Sequence, residues 1–408
     1  MDDHSLQSIF TPKFCYICHK PISGEQRKNK WFCPGCESYN SQKRDEFCES
    51  LNLQKKDGLW VPSSDRRYAL VTGGRIKIGY ETCLKLLRSG AFVILTTRFP
   101  VDAAYRYAKE DDFEDWCTRL KIYKIDFRNI IQVEEFATFV DRNLSHLDIL
   151  INNAAQTVRR PKEYYEHLRE LESREIRELP PQIKALIYDK NLSHDFFKYQ
   201  GGLDQLQITQ TVNMKMFIAD TSQNHFPVGK TDTNGDPIDM RIHNSWISKA
   251  EEISTIELLE VQFVNVTAPY ILCARLKEAM KRSPYEHRFI INVSAMEGKF
   301  NRKNKNCFHP HTNMAKAALN MLTRTAAQDY ARDRIYMNSV DTGWITDENP
   351  YHLQERNKRR GIVPPLSSKD GAARVLDPIF YTLLPKEDKK DRTPLYGKFF
   401  KNYKKTNW

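Results

Sequence analysis

Residues 71–82 read VTGGRIKIGYET, and the reading of this stretch decides the fold. It closes an apolar run, RYALVTGG (67–74), and leads into ETCLKLLRSG (81–90), whose apolar residues recur at helical spacing up to Gly90. A buried strand, a glycine turn and a helix start in direct succession gather free backbone N–H groups at one point. Such a point attracts anions, and the phosphates of a dinucleotide rest on a strand–turn–helix of this kind. A glycine loop alone is weak evidence, so the neighbouring sequence has to agree with it.

It does. AFVILTTR (91–98), LKIYKID (120–126) and LDILINN (147–153) are further buried strands, separated by helical sequence at 101–116 and 130–144. The rhythm resumes with a helix at 253–281, RFIINVS (288–294), a helix at 312–331, IYMNSV (335–340), a helix at 369–383 and LYGKFF (395–400). Strands that are apolar throughout, alternating with helices, predict an α/β fold whose parallel sheet is covered on both faces. Residues 156–252 interrupt the pattern with Pro180–Pro181 and Gly201–Gly202. The run KEYYEHLRELESREIRE (162–178) is charged on nearly every face and reads as an exposed helix. Asn234–Gly235 in TDTNGDPIDMR reads as a hairpin turn. The DTNGD segment has its glycine one position early for a calcium loop, which leaves the plain turn.

Upstream, FCYICHKPISGEQRKNKWFCPGCE (14–37) carries two Cys-x-x-Cys pairs, Cys15/Cys18 and Cys33/Cys36. Four thiolates at this spacing complete a tetrahedron around Zn²⁺, with a short hairpin between the knuckles. The expected module is a structural zinc ribbon, too small to hold a core of its own. The expected domains are therefore 1–60, ribbon and linker, and 61–408, with 156–252 as an insertion.

Of the 408 residues, 40% are apolar and 28% charged, as in globular chains. No apolar run approaches the roughly 20 residues that cross a membrane. The start MDDHSLQSIF lacks a long apolar stretch. Nine cysteines without an export signal point to a reducing compartment, cytoplasm or nucleus. The net charge of +11 lies partly in runs such as NKRR (357–360) and KNYKK (401–405), which read as solvated surface rather than a nucleic-acid groove.

Thr72-Gly73-x-x-x-Lys77-x-Gly79 resembles the TGxxxGxG fingerprint of the short-chain dehydrogenase/reductase family, with lysine in place of the middle glycine. The segment Asn152–Ala155 is similar to that family's NNAG. Asn265 in FVNVTAPY, Ser294 in INVSAMEG and Lys316 in TNMAKAAL follow the family order, and SVDTG (339–343) resembles its Pro-Gly region. The resemblance covers residues 66–400 apart from the insertion. It implies a doubly wound Rossmann sheet of about seven strands, NAD(P)(H) binding, and dimers or tetramers packed through the helices of Asn265 and Lys316. It also implies cofactor contacts at Thr72, Gly73, Arg75, Lys77, Ile78, Gly79, Arg98, Asp126, Asn152, Ala154 and Lys316. Arg98 occupies the place of an acidic residue that would hold the ribose hydroxyls. With Arg75 it favours NADP(H) over NAD(H), since guanidinium attracts a 2′-phosphate.

By the same resemblance Ser294 holds the substrate oxygen, Lys316 the nicotinamide ribose, and Asn265 a proton-relay water. Thr312 stands where the family has a tyrosine, and an aliphatic hydroxyl is far too weak an acid to replace a phenol with a pKa of ~10. His309 and His311 are the neighbouring alternative acids; Tyr80, Tyr351 and Glu297 are more distant ones. The insertion enters after Ala155, at the sheet edge that carries the ligand crevice, and is expected to cover the substrate mouth. Three functions follow from these features. One is an atypical NADP(H)-dependent oxidoreductase acting on a carbonyl or alcohol of unknown identity. A second is a cofactor-binding pseudoenzyme, an NADPH-linked sensor or scaffold that grips a protein partner through its ribbon. The third, a nucleic-acid-associated protein, draws little support from the scattered basic runs.

Overall fold

The computed structural model describes residues 13–22, 31–56, 59–62, 65–188, 225–227, 229–232, 234–302, 305–384 and 393–408. Leu53–Lys56 (β1) and Leu59–Pro62 (β2) form an antiparallel pair of their own. The main sheet contains β3 (Tyr68–Thr72), β4 (Phe92–Thr97), β5 (Leu120–Lys124), β6 (Ile149–Asn152), β7 (Arg288–Ser294), β8 (Ile335–Asp341), β9 (Phe399–Lys401) and β10 (Lys404–Thr406). Their order is β10-β9-β8-β7-β6-β3-β4-β5, parallel except for β10 against β9. All seven expected strands are present, and β10 adds an eighth.

The chain enters the sheet in the middle at β3, runs outward to β5, and returns to β6 on the other side of β3. Two neighbouring connections therefore leave in opposite directions, and their carboxyl ends part to form a crevice. Alternation along each strand supplies two cores. Val71, Leu95, Ile151 and Ile291 face one way, into a cluster with Leu87, Val375 and Ile379. Leu70, Ile94, Leu150 and Ile290 face the other, against Phe136, Leu272 and Ala327.

Three helices differ from expectation. The stretch at 101–116 forms Pro100–Tyr107 and a short turn Phe113–Trp116. The long helix begins at Pro310, whose missing N–H costs nothing in a first turn, and runs to Arg332. The expected helix 253–281 is Thr255–Gln262, a π-turn Phe263–Thr267, Ala268–Arg275 and Lys277–Lys281. Pro269 explains the π-turn: it has no N–H to give, and its ring crowds the carbonyl four residues back, that of Asn265. By length and composition Thr255–Arg275 is apolar enough to cross a membrane, contrary to the sequence reading. Here these turns pack on Pro310–Arg332 and Ile130–Asn143.

The insertion leaves the sheet after Ala155 and returns to its far edge. Ile187 bridges Ile122 of β5, Tyr188 N–H donates to the Ile122 carbonyl at 2.8 Å, and the Tyr188 ring stacks on Tyr123. This covers an edge strand that would otherwise present unpaired backbone groups. The charged run is not exposed all round. Tyr164 and Leu168, one helical turn apart, are both buried. The Asn234–Gly235 turn is present, with Thr231 paired to Pro237 and Gly235 at φ 79°. Gly201–Gly202 lies outside the described residues.

Candidate cofactor and catalytic site

Thr72 joins the two strands that flank the reversal. Its hydroxyl accepts the N–H groups of Asn153 and Ala154, both at 2.9 Å, and lies 3.3 Å from the Ile151 carbonyl. Asn153 Nδ2 donates back to the carbonyls of Thr72 and Gly73 at 3.0 and 3.1 Å. A crevice of about 390 Å³ opens above this clasp, walled by Gly73, Lys77, Gly79, Arg98, Asp126, Asn153 and Ile345, among others. A Cβ on Gly79 would lie 2.1 Å from the Gly73 carbonyl oxygen, so only glycine fits where the loop folds on itself. Lys77 adopts φ 55°, the left-handed conformation that favours glycine. The loop thus keeps its turn despite the lysine, at a strain of about 1 kcal/mol. Its residues fit a diphosphate: a bare backbone cradle at a helix start, with an ammonium beside it.

Two expected cofactor contacts are corrected. Thr72 is buried in the clasp and positions the crevice floor rather than touching a ligand. Asn152 points into the sheet, where its Nδ2 donates to Asn292 Oδ1 at 2.8 Å. Adjacent residues at a strand end face opposite ways, so Asn153 is the one that borders the crevice. Ile78, Ala154 and Asp126 line the cavity.

The arginines also divide. Arg75 is buried between Asp102 and Asp236, each at 2.8 Å, so its charge is already matched and it anchors the insertion's hairpin to the cofactor loop. It is not a free cation for a 2′-phosphate. Arg98 is half-buried on the crevice wall, donates to Tyr165 OH at 2.7 Å and lies over the Tyr165 ring. Arg128, which the sequence did not single out, grips Asp126 with two nitrogens. Burial opposes a charge on Asp126, yet the hydrogen bonds from Arg128 hold its carboxyl below the ordinary range.

At the other end, Asn265 in the π-turn clamps the backbone of Gln156, accepting its N–H at 2.7 Å and donating to its carbonyl at 3.0 Å. Lys316 Nζ donates to the Val293 carbonyl at 2.9 Å. Burial pushes its ammonium down to about 8, against support from Glu297 and Asp341. Ser294 is 2% exposed and its hydroxyl donates to Asn320 at 2.6 Å, inside the protein. Its hydrogen is thus given to Asn320 and not to the crevice. Strand alternation turns Ala295 the other way, and alanine has no hydroxyl.

The two histidines have separate fates. His309 stacks on Trp246 at 4.0 Å, its Nδ1 lies 2.7 Å from the Trp246 carbonyl, and its N–H donates to Ser248. It fastens residues 246–248 of the insertion to the helix start. His311 is 2% exposed, and neither ring nitrogen has a hydrogen-bond partner; the hydroxyl of Thr312, 3% exposed, has none either. His311 Nε2 lies 3.8 Å from Glu257 Oε1, an ion-pair distance too long for a hydrogen bond. Burial would raise the Glu257 carboxyl, but His311, Ser245 and the Arg159 N–H hold it below its usual range. Glu257 was not anticipated, since only the fold brings Thr255–Gln262 beside Pro310–Arg332.

The four cysteine sulfurs lie within 4.8 Å of one another, with Cys18 and Cys33 Sγ 3.7 Å apart. Tetrahedral thiolates at Zn–S distances of about 2.3 Å would stand about 3.8 Å apart, so the set fits zinc. The first knuckle lies in a turn closed by pairing of Phe14 with Pro21. The second is not a ribbon hairpin: Cys33 caps the helix Pro34–Asp45.

A model described as short chain dehydrogenase matches residues 67–178, and one described as enoyl-(acyl carrier protein) reductase matches 205–361. Together they span more than half of the chain. The chain belongs to the short-chain dehydrogenase/reductase family. An uncharacterized protein of Acanthamoeba polyphaga mimivirus is 30% identical over 382 residues, 90% of this chain and 71% of that protein. The (+)-neomenthol dehydrogenase of Capsicum annuum is 35% identical over 95 residues, 22% of this chain and 30% of the enzyme. Similarity to the (−)-isopiperitenone reductase of Mentha piperita, 37% over 92 residues, covers 22% and 29%. Among solved structures, a short chain dehydrogenase from Salmonella enterica aligns at TM-score 0.48 and 14% identity over 84% of this chain and 99% of that one. Lys316 and Asn265 follow the family's order in the sequence, with Thr312 four residues before the lysine.

Lys77→Gly is expected to raise folding stability by about 1 kcal/mol in urea titrations, by relieving the left-handed strain. It should also weaken the salt dependence of dinucleotide binding, because an ammonium beside the phosphates is lost. Lys316 holds its proton less tightly folded than unfolded, where a lysine titrates near 10.4. Its contribution to stability is therefore lowest, and flat, below pH about 8, and rises as pH climbs from about 8 toward about 10.4. Urea midpoints of Lys316→Met, followed against pH beside the parent protein, should lack this rise.

Proposed function

We propose that this chain transfers hydride between NADP(H) and a carbonyl or alcohol, with His311, supported by Glu257, giving the proton that a tyrosine gives elsewhere in the family. The observation that carries the reading is the pair of buried, unpartnered ring nitrogens of His311, next to the unpartnered Thr312 hydroxyl and facing a charged Glu257. Buried polar atoms without partners call for a ligand or a water. When bound, the dinucleotide supplies or accepts the hydride.

Protonated His311 gives its proton to the substrate oxygen as the alcohol forms, and takes it back in the reverse direction; Glu257 stabilises the imidazolium meanwhile. Thr312 has a hydroxyl free to orient the same oxygen or a water between the two. Lys316 uses one N–H on Val293 and retains two for a ribose hydroxyl. Arg98, with no carboxylate partner within 4 Å among the described residues, supports NADP(H) over NAD(H). Two plant relatives are named a dehydrogenase and a reductase, in keeping with this chemistry.

A second reading, dinucleotide binding without turnover, is favoured by the engagement of Ser294 with Asn320. Leu259, Tyr270, Met314 and Met321 stand exposed on the helices that carry Asn265 and Lys316 or abut them, and we assign this surface to a second copy of the chain. Nine free cysteines support a reducing compartment, the cytoplasm or nucleus.

The test of His311 is NADPH oxidation across a panel of aldehydes and ketones. His311→Gln should lower kcat by about a hundredfold or more with dinucleotide affinity unchanged. Parent-like turnover in that variant would remove His311 from the mechanism, and absence of turnover in the parent protein would favour the second reading. Arg98→Glu should weaken NADPH binding about tenfold or more while leaving NADH nearly unaffected, as read by fluorescence titration.

A further inference from the structure

The loop after β8 forms one wall of the crevice through Ile345 and Thr346. At Trp344 this loop is held by the cysteine module. Trp344 N–H donates to Tyr16 OH at 2.7 Å, and the Trp31 ring meets Trp344 edge to face at 6.0 Å. Gly343, at φ 84°, lies so close that a Cβ would come within 3.2 Å of Tyr16 OH and 2.5 Å of Leu366. Leu366 shares a small apolar cluster with Cys15, Ile22 and Phe32, and Ile345 packs against it.

The placement of these two rings in the sequence matters. Tyr16 lies inside the knuckle Cys15–Cys18, and Trp31 stands two residues before Cys33. Tyr16 N–H donates to the Trp31 carbonyl at 2.9 Å, so the two knuckles are tied at the level of the residues that hold Trp344. An ion held by the four thiolates would fix the distance between the knuckles, and with it both contacts on Trp344. The module's own apolar cluster is too small to do so unaided. From Cys33 onward the helix Pro34–Asp45 is pinned separately to Ser368–Leu383, by Asn40 to Asp370 at 2.6 Å and Lys43 to Asp377 at 2.9 Å. Loss of the ion would therefore release the first knuckle, with Tyr16, and the loop it holds, while the second knuckle stays with the pinned helix.

We propose that the four-cysteine zinc site is a clamp on the crevice wall: its occupancy positions Trp344–Thr346 and so governs dinucleotide affinity. The proposal rests on the reading of the crevice as a dinucleotide site, and its test separates the two. Full-length protein is stripped of zinc with a chelator, the released zinc is measured, and backbone hydrogen exchange is followed. Stripping is expected to speed exchange of the Trp344 amide while the amides of β3, β6 and β7 stay protected, and to weaken NADPH binding by about fivefold or more. Added zinc should restore both. Tyr16→Phe keeps all four thiolates yet cannot accept from Trp344, so it should reproduce the faster exchange and weaker binding with zinc still bound. Unchanged exchange at Trp344 after zinc release, or unchanged NADPH affinity in both the stripped protein and Tyr16→Phe, overturns the clamp. If the zinc-loaded chain binds neither dinucleotide, the crevice reading fails, and exchange at Trp344 alone decides whether the clamp exists.

Discussion

The hydroxyl of Thr72 accepts two successive backbone N–H groups at the end of β6, and the geometry of the crevice is referred to that contact. At a strand reversal the two neighbouring loops diverge, and nothing in the sheet's own hydrogen bonding fixes their separation. Thr72 from one side and Asn153 from the other supply that distance. Gly79 then closes against the Gly73 carbonyl because it has no side chain. Lys77 tolerates a left-handed backbone because its neighbours on both sides are already fixed, so the strain has nowhere to relax.

Around this floor the walls come from parts of the chain far apart in sequence. The insertion contributes one through Asp236 on Arg75 and Tyr165 beside Arg98. Segment 246–248 fastens onto His309, and the cysteine module holds the loop after β8. Among the described residues, the insertion and the cysteine module meet the crevice through several short attachments. Charge is distributed accordingly: Arg75 and Arg128 are matched by carboxylates within the fold, and Arg98 is left facing the crevice.

At the far end of the crevice Lys316 and Asn265 each hold a backbone group. The Ser294 hydroxyl donates to the Asn320 side chain. His311, with Glu257 beside it, is a buried ionisable group that the packing does not otherwise explain.

Much of this was legible without coordinates. Uninterrupted apolar strands between amphipathic segments can bury both faces in only one way, so the parallel sheet, its seven strands and the glycine turn followed from periodicity. The cysteine spacing pointed to a four-cysteine cluster, because two-residue gaps aim paired sulfurs at one point. Which of Asn152 and Asn153 borders the crevice, whether Arg75 or Arg98 carries a free charge, and which histidine has an unmet hydrogen bond were decided only by tertiary packing. Their partners, Asn292, Asp236, Trp246 and Glu257, lie between 54 and 161 residues away in sequence (on the order of loop distances that carry no local signal). Local sequence specifies backbone shape; a side chain's role depends on which distant group satisfies it first.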